Sequence, residues 1–144
     1  MIPTIVCLCG STKFKDAFTK AQLEETLAGK IVLTIGCNMK SDQEIFGHMS
    51  PEEFAATKRA LDQLHFRKIE MADEVLILNV GGYVGLSTCD ELNYARALGK
   101  RIRWLKEPCN CNFTDAWRCA RDKNLNGQIA CHCPCHNYTR ESKI

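Results

Sequence analysis

The sequence predicts an α/β fold: a parallel sheet of strand order 2-1-3-4 with flanking helices, followed by a small Cys/His-rich C-terminal appendage. Three observations carry this prediction. Between residues 4 and 106, four short apolar runs alternate with three segments of helical period. Glycine-bearing turns follow the first and third apolar runs. Beyond Pro108 the composition turns polar and rich in cysteine and histidine, which places 1–107 in one α/β domain and 108–144 in a tail. Strand–helix alternation closes into a parallel sheet through right-handed crossovers. In the order 2-1-3-4 the chain reverses its winding between the first and third strands, where ligands bind outside the carboxyl ends.

The first strand covers residues 4–9 and meets a turn at Gly10-Ser11. Cys7 and Cys9 are two apart on it, so both face one side, and free cysteine commonly packs as a small buried hydrophobe. Ser11 is the expected cap of a helix with apolar positions Phe14, Phe18, Ala21 and Leu27, ending near Gly29. Residues 31–35, Ile-Val-Leu-Thr-Ile, read as the second strand. Residues 36–49 show no clean period, a length that suits a lid or rim beside a site. Ser50-Pro51-Glu52-Glu53 starts a helix, with Ser at the cap, Pro at N1 and Glu at N3. That helix runs to about Met71, with Phe54, Leu61, Leu64 and Ile69 on its apolar side. Asp73 and Glu74 lead into the third strand, Val75 to Val80. Gly81, Gly82 and Gly85 shape the loop after it, and Ser87 or Thr88 is the expected cap of the third helix. Its period runs through Leu92, Ala95 and Leu98 and stops at Gly99, and a last strand spans Ile102 to Leu105.

Two loops therefore meet at the winding reversal, Gly10–Phe14 and Gly81–Thr88. Gly10-Ser11-Thr12-Lys13 offers backbone N–H groups, two hydroxyls and an ammonium at a helix N-terminus, a setting for phosphate or ribose. It matches neither GxxxxGK[ST] nor GxGxxG, and plain capping by Ser11 is the alternative. Glu91, expected in the first turn of the third helix, directs a carboxylate at the same place. Thr88-x-x-Glu91 also has capping-box spacing, which would make Glu91 structural, whereas Ser87-x-x-Asp90 would leave it free. His65, mid-helix, is a candidate for ligand contact or a satisfied core or surface histidine. Tyr83 and Tyr94 are candidates for stacking on a base or for packing.

A formal charge of +2 demands neither nucleic acid nor an anionic membrane as partner. No apolar run approaches the roughly 20 residues of a membrane span, and Met1 to Val6 reads as the start of the first strand rather than a signal peptide. A cytoplasmic location is expected. Six of the ten cysteines fall between Cys109 and Cys135, a clustering that suits a local metal site better than a framework of disulfides. Cys109, Cys111, Cys131, Cys133, Cys135 and His136 are the candidate ligands of a structural Zn²⁺, with disulfides or free thiols as alternatives. No organic cofactor is expected. Basic residues near and in the tail (Lys106, Arg118, Arg121, Lys123, Arg140) are scattered and offset by acids, which ranks nucleic-acid binding last.

Cys9-Gly10-Ser11-Thr12, Ala72-Asp73-Glu74-Val75 and Ser87-Thr88-x-x-Glu91-Leu92-x-Tyr94-Ala95-x-Ala97-x-Gly99-Lys100 together resemble the nucleoside 2-deoxyribosyltransferase family. That family includes small hydrolases of deoxynucleoside monophosphates. The resemblance covers roughly residues 4–106, and its most specific part is Glu91 followed by Tyr94-Ala95 and Gly99-Lys100. It implies a Rossmann-like fold, a dimer or higher homo-oligomer, and cleavage of the N-glycosidic bond of a small-molecule nucleoside or nucleotide. Glu91 matches the family's nucleophile, which attacks C1′, expels the base and forms a glycosyl-enzyme resolved by water or a second base. Gly10, Ser11, Thr12, Lys13, Gly82, Tyr83, Ser87 and Thr88 would then line the substrate. Two positions depart from the family. His65 stands eight residues before Asp73, where an aspartate is usual, and Gly85 stands six before Glu91, where the transferases carry a carboxylate. His65 is the expected replacement as general acid. The alternative is a nucleotide-binding module that performs no chemistry.

Overall fold

β1 (Ile5–Cys9) lies inside a four-stranded parallel sheet of order β2-β1-β3-β4, with β2 (Ile31–Leu33), β3 (Glu74–Ile77) and β4 (Arg101–Trp104) completing it. Helices α1 (Lys15–Leu27), α2 (Asp42–Phe46), α3 (Pro51–Met71) and α4 (Leu86–Ala97) connect or flank the strands. The arrangement is Rossmann-like, with the strand order that the sequence predicts. The computed structural model describes residues 1–35 and 42–106. The tail ligands Cys109, Cys111, Cys131, Cys133, Cys135 and His136 lie outside the described residues, as do residues 36–41. No helix among the described residues is long and apolar enough to cross a membrane.

β1 and β3 are almost uninterrupted apolar runs because both of their faces are covered. The period of two splits them cleanly. Val6, Leu8, Leu76 and Leu78 meet Phe18 and Ala21 of α1 on one side. Cys7, Cys9, Val75 and Ile77 meet Ile69 of α3 and Leu92 and Ala95 of α4 on the other. Burying a side chain the size of Phe18 contributes about 1.5–3 kcal/mol, and Phe18 is buried completely enough to anchor α1.

Glu74 is the exception inside β3, buried on the α1 face at the strand's amino end. Its Oε1 accepts hydrogen bonds from Lys30 Nζ at 2.7 Å and Arg103 Nη1 at 3.0 Å. Glu25 of α1 receives the same two cations, Arg103 at 2.6 Å and Lys30 at 3.1 Å. Two buried carboxylates and two partly buried cations thus join α1, β3 and β4 where apolar packing gives out. Beyond β3, Asn79 ties down the end of β4 by mimicking a peptide, donating to Lys106 O at 2.8 Å and accepting from Lys106 N at 2.9 Å.

Several expectations need correction. Ser11 does not cap α1. Residues 11–14 form a turn closed by Phe14 N to Ser11 O at 3.0 Å, so the helix begins at Lys15 without a side-chain cap. Leu27 projects into solvent rather than onto the sheet; the buried residue of the last turn of α1 is Glu25. Residues 42–46, expected to be irregular, are helical. Leu61 and Leu64 are exposed along α3, while His65 and Ile69 are buried. β3 and β4 each begin one residue earlier than expected. Neither Ser87 nor Thr88 caps α4: Gly85 does, with extended backbone, and α4 begins at Leu86.

The start of α3 is as read. Ser50 Oγ accepts from Glu53 N at 3.2 Å and Glu53 Oε2 accepts from Ser50 N at 2.9 Å, a closed capping box with Pro51 in the first turn. Ser50→Ala removes one of these bonds and frees the other partner. It is expected to cost about 1 kcal/mol in urea unfolding, with the far-UV circular dichroism of the folded protein unchanged.

Candidate functional site

The carboxyl ends of β1 and β3 open into a cavity of about 390 Å³, roofed by α3 and floored by the loops that follow the two strands. The reversal of winding creates it, since the connections after β1 and β3 depart toward opposite faces. Gly10 allows the first loop to pass close over the second: a Cβ there would stand 3.1 Å from Leu78 Cβ and 3.3 Å from Leu78 O. Gly81 and Gly82, at φ 61° and 86°, turn the chain out of β3 in a conformation that side-chain-bearing residues rarely adopt.

Of the residues singled out from the sequence, Gly10, Ser11, Thr12, His65, Tyr83, Ser87, Thr88 and Glu91 line this cavity. Lys13 and Gly82 are not among the lining residues. The Lys13 ammonium lies over the Tyr83 ring, 3.8 Å from its centroid, and so helps fix that ring rather than pointing inward. Phe14 supports the same ring edge-on. Tyr94 lies away from the cavity, packed on Phe66 with the rings tilted by 55° and centroids 4.8 Å apart, its hydroxyl bonded to Glu70. Base stacking by Tyr94 is therefore excluded by its packing role.

Because α4 starts at Leu86, Glu91 falls in its second turn, beyond reach of the cap. The capping-box alternative for Glu91 lapses with that shift. Its side chain is nearly buried against the cavity, and its Oε2 has no hydrogen-bond partner. The nearest cation is His65, with Nε2 3.8 Å from Oε2, a charge contact too long to be a hydrogen bond. Burial pushes the Glu91 carboxyl up to about 7 against the opposing pull of His65. Near neutral pH it is thus divided between its two forms.

Behind Glu91 stand two residues whose part in the site the sequence did not indicate. Cys7 and Cys9 project from β1 toward α3, and His65 Nε2 lies 3.3 Å from Cys9 Sγ and 3.8 Å from Cys7 Sγ. These three ligand atoms lie within 4.8 Å of one another, so Cys7, Cys9 and His65 form a group that could hold a metal ion. Their signal in the sequence was the C-x-C spacing on a strand, which puts both thiols on one face without saying what lies opposite. Burial works against a charged His65, yet the Cys7 hydrogen bond and the Glu91 charge outweigh it and lift its pKa above the ordinary value. Burial likewise pushes the Cys9 thiol up.

The remaining lining is mainly apolar and comes from α2 and α3, including Phe46, Phe54, Leu61 and Leu64. Their exposure on α3 is explained by this cavity, which takes the place of a packed core. The site therefore has an apolar wall fit for a base or sugar face, the charged Lys58, Asp62 and Lys68 of α3, hydroxyls and backbone on the facing loops, and the Glu91 carboxylate at the back. No protein-family model matches this chain, and no curated protein or solved structure is significantly similar to it.

Proposed function

We propose that the chain is a nucleoside 2-deoxyribosyltransferase-like N-glycosidase or transferase that acts on a (deoxy)nucleoside or nucleotide through Glu91. The observation that carries this reading is the Glu91 carboxylate, nearly buried at the back of the switch-point cavity with Oε2 unpartnered. A buried oxygen without a partner costs stability. Such a group is what an electrophilic carbon of oxocarbenium character requires.

In the reaction, Glu91 Oε2 attacks C1′ as the bond from C1′ to the base nitrogen breaks. The electron pair of that bond leaves with the base, and the departing nitrogen takes a proton, for which His65 in its charged form is the candidate donor. The glycosyl ester of Glu91 is then opened by water, giving free sugar, or by a second base, giving a new nucleoside. Ser11, Thr12, Ser87 and Thr88 supply hydroxyls and backbone for sugar or phosphate oxygens. Tyr83 and the aromatic side chains of Phe46 and Phe54 supply faces for the base.

A nucleotide-binding module without turnover is the second reading, favoured by Gly85, which gives no carboxylate where the transferases resembled here carry one. The two separate on one experiment. Purified chain incubated with a panel of deoxynucleosides and their 5′-monophosphates should release free base, followed by chromatography. No release from any member, with thermal stabilisation by one of them, would sink the glycosidase and leave the binding module.

A further inference from the structure

We infer that Cys7 Sγ, Cys9 Sγ and His65 Nε2 form a three-ligand Zn²⁺ site behind the cavity. Three groups converge on the single nitrogen Nε2: Cys9 Sγ at 3.3 Å, Cys7 Sγ at 3.8 Å and Glu91 Oε2 at 3.8 Å. An imidazole nitrogen holds one proton or one lone pair, so Nε2 can bond to only one of the three at a time. A cation among the two thiols and Nε2 engages all three of those atoms at once. The spacing fits tetrahedral geometry, because ordinary Zn–S and Zn–N bonds give edges of about 3.6 Å for S···N and about 3.8 Å for S···S. The observed Sγ···Nε2 distances fall on either side of the first value, and no separation among the two thiols and Nε2 exceeds 4.8 Å.

The donor set also selects the ion. Two thiolates and an imidazole exclude the oxygen-seeking Mg²⁺ and Ca²⁺ and suit Zn²⁺. The ligands are positioned in advance, since Cys7 and Cys9 share one face of the buried strand β1 and His65 is held inside α3. Binding would displace the thiol protons to solvent. Its role goes beyond the glycosidase reading and shares His65 with it: an imidazole whose Nε2 binds zinc cannot take the charged form that donates to the departing base.

The test uses the full chain, reduced, chelated and reloaded with Zn²⁺, with metal per chain measured by mass spectrometry for wild type and for Cys7→Ser/Cys9→Ser. The tail cysteines are common to both proteins and cancel in the difference. The variant should hold one equivalent less than wild type, and equal metal content overturns the site. Circular dichroism checks that the variant folds. If it does not, His65→Gln takes its place under the same requirement, with Co²⁺ loading as a second readout. Loss of one set of thiolate-to-cobalt charge-transfer intensity supports the site, and an unchanged spectrum overturns it. Metal is read with no substrate present, so failure here leaves base release by Glu91 untouched. A chain that binds this zinc yet, once chelated, releases no base defeats the glycosidase alone.

Discussion

Glu91→Gln is expected to lower base release by on the order of 10⁴-fold or more, the scale seen when a covalent nucleophile is removed, while affinity for the nucleoside largely survives. The amide keeps the size and the contacts of the side chain but cannot form the glycosyl ester. The same substitution should make the metal-free protein more stable. A carboxyl raised from its usual 4.5 to about 7 holds its proton more tightly when folded than when unfolded. Folding stability therefore falls as pH rises from the lower value toward the higher, and stays reduced above it. The glutamine has no charge to desolvate, so its advantage should appear above neutrality and vanish near pH 4. About 3 kcal/mol is the upper bound on that advantage. Thermal melts of chelated wild type and variant between pH 4 and pH 8 check this. A variant that loses both activity and stability would mean that Glu91 is structural.

Glu74→Gln should be the most destabilising of the charge substitutions, by about 3 kcal/mol, because it leaves two partly buried cations without one of their two carboxylates. Lys30 and Arg103 would share Glu25 alone, and Glu74 is only 3% exposed. The value lies at the low end of the range for broken buried pairs because both cations keep some contact with water. Burial opposes the charge on Glu74, but Lys30 and Arg103 overcome it and hold the carboxyl below its usual 4.5. A depressed acid contributes stability above its unfolded value, and that stability is lost as pH falls through the folded one. Urea unfolding of wild type should thus weaken below about pH 4.5 with a slope that the glutamine variant lacks. Equal slopes would show that the network does not carry the acid sensitivity.

The fold and the candidate site were legible to different degrees. Alternating apolar runs and helical periods specified the strand order 2-1-3-4, since right-handed crossovers and a winding reversal leave few other ways to connect those elements. The loops at Gly10 and Gly81 were legible for the same reason, as glycines at the carboxyl ends of central strands. Ser50-Pro51-Glu52-Glu53 was read correctly because a capping box is closed by atoms three residues apart.

What depended on contacts across the fold was not legible. The cap of α4 moved from Ser87 or Thr88 to Gly85, and only that shift released Glu91 from a capping role. Leu61 and Leu64 look like core on a helical wheel but face a cavity, because periodicity reports which residues share a face and not what stands opposite. Cys7 and Cys9 read as small buried hydrophobes until α3 set His65 against them, 58 and 56 residues away in sequence. The sequence by itself determined the sheet, its winding and the edge at which the cavity opens, all consequences of local period and chain connectivity. The tertiary structure alone decided which thiols, imidazole and carboxylate meet there, because that meeting rests on the packing of two elements whose relative rotation no local pattern encodes.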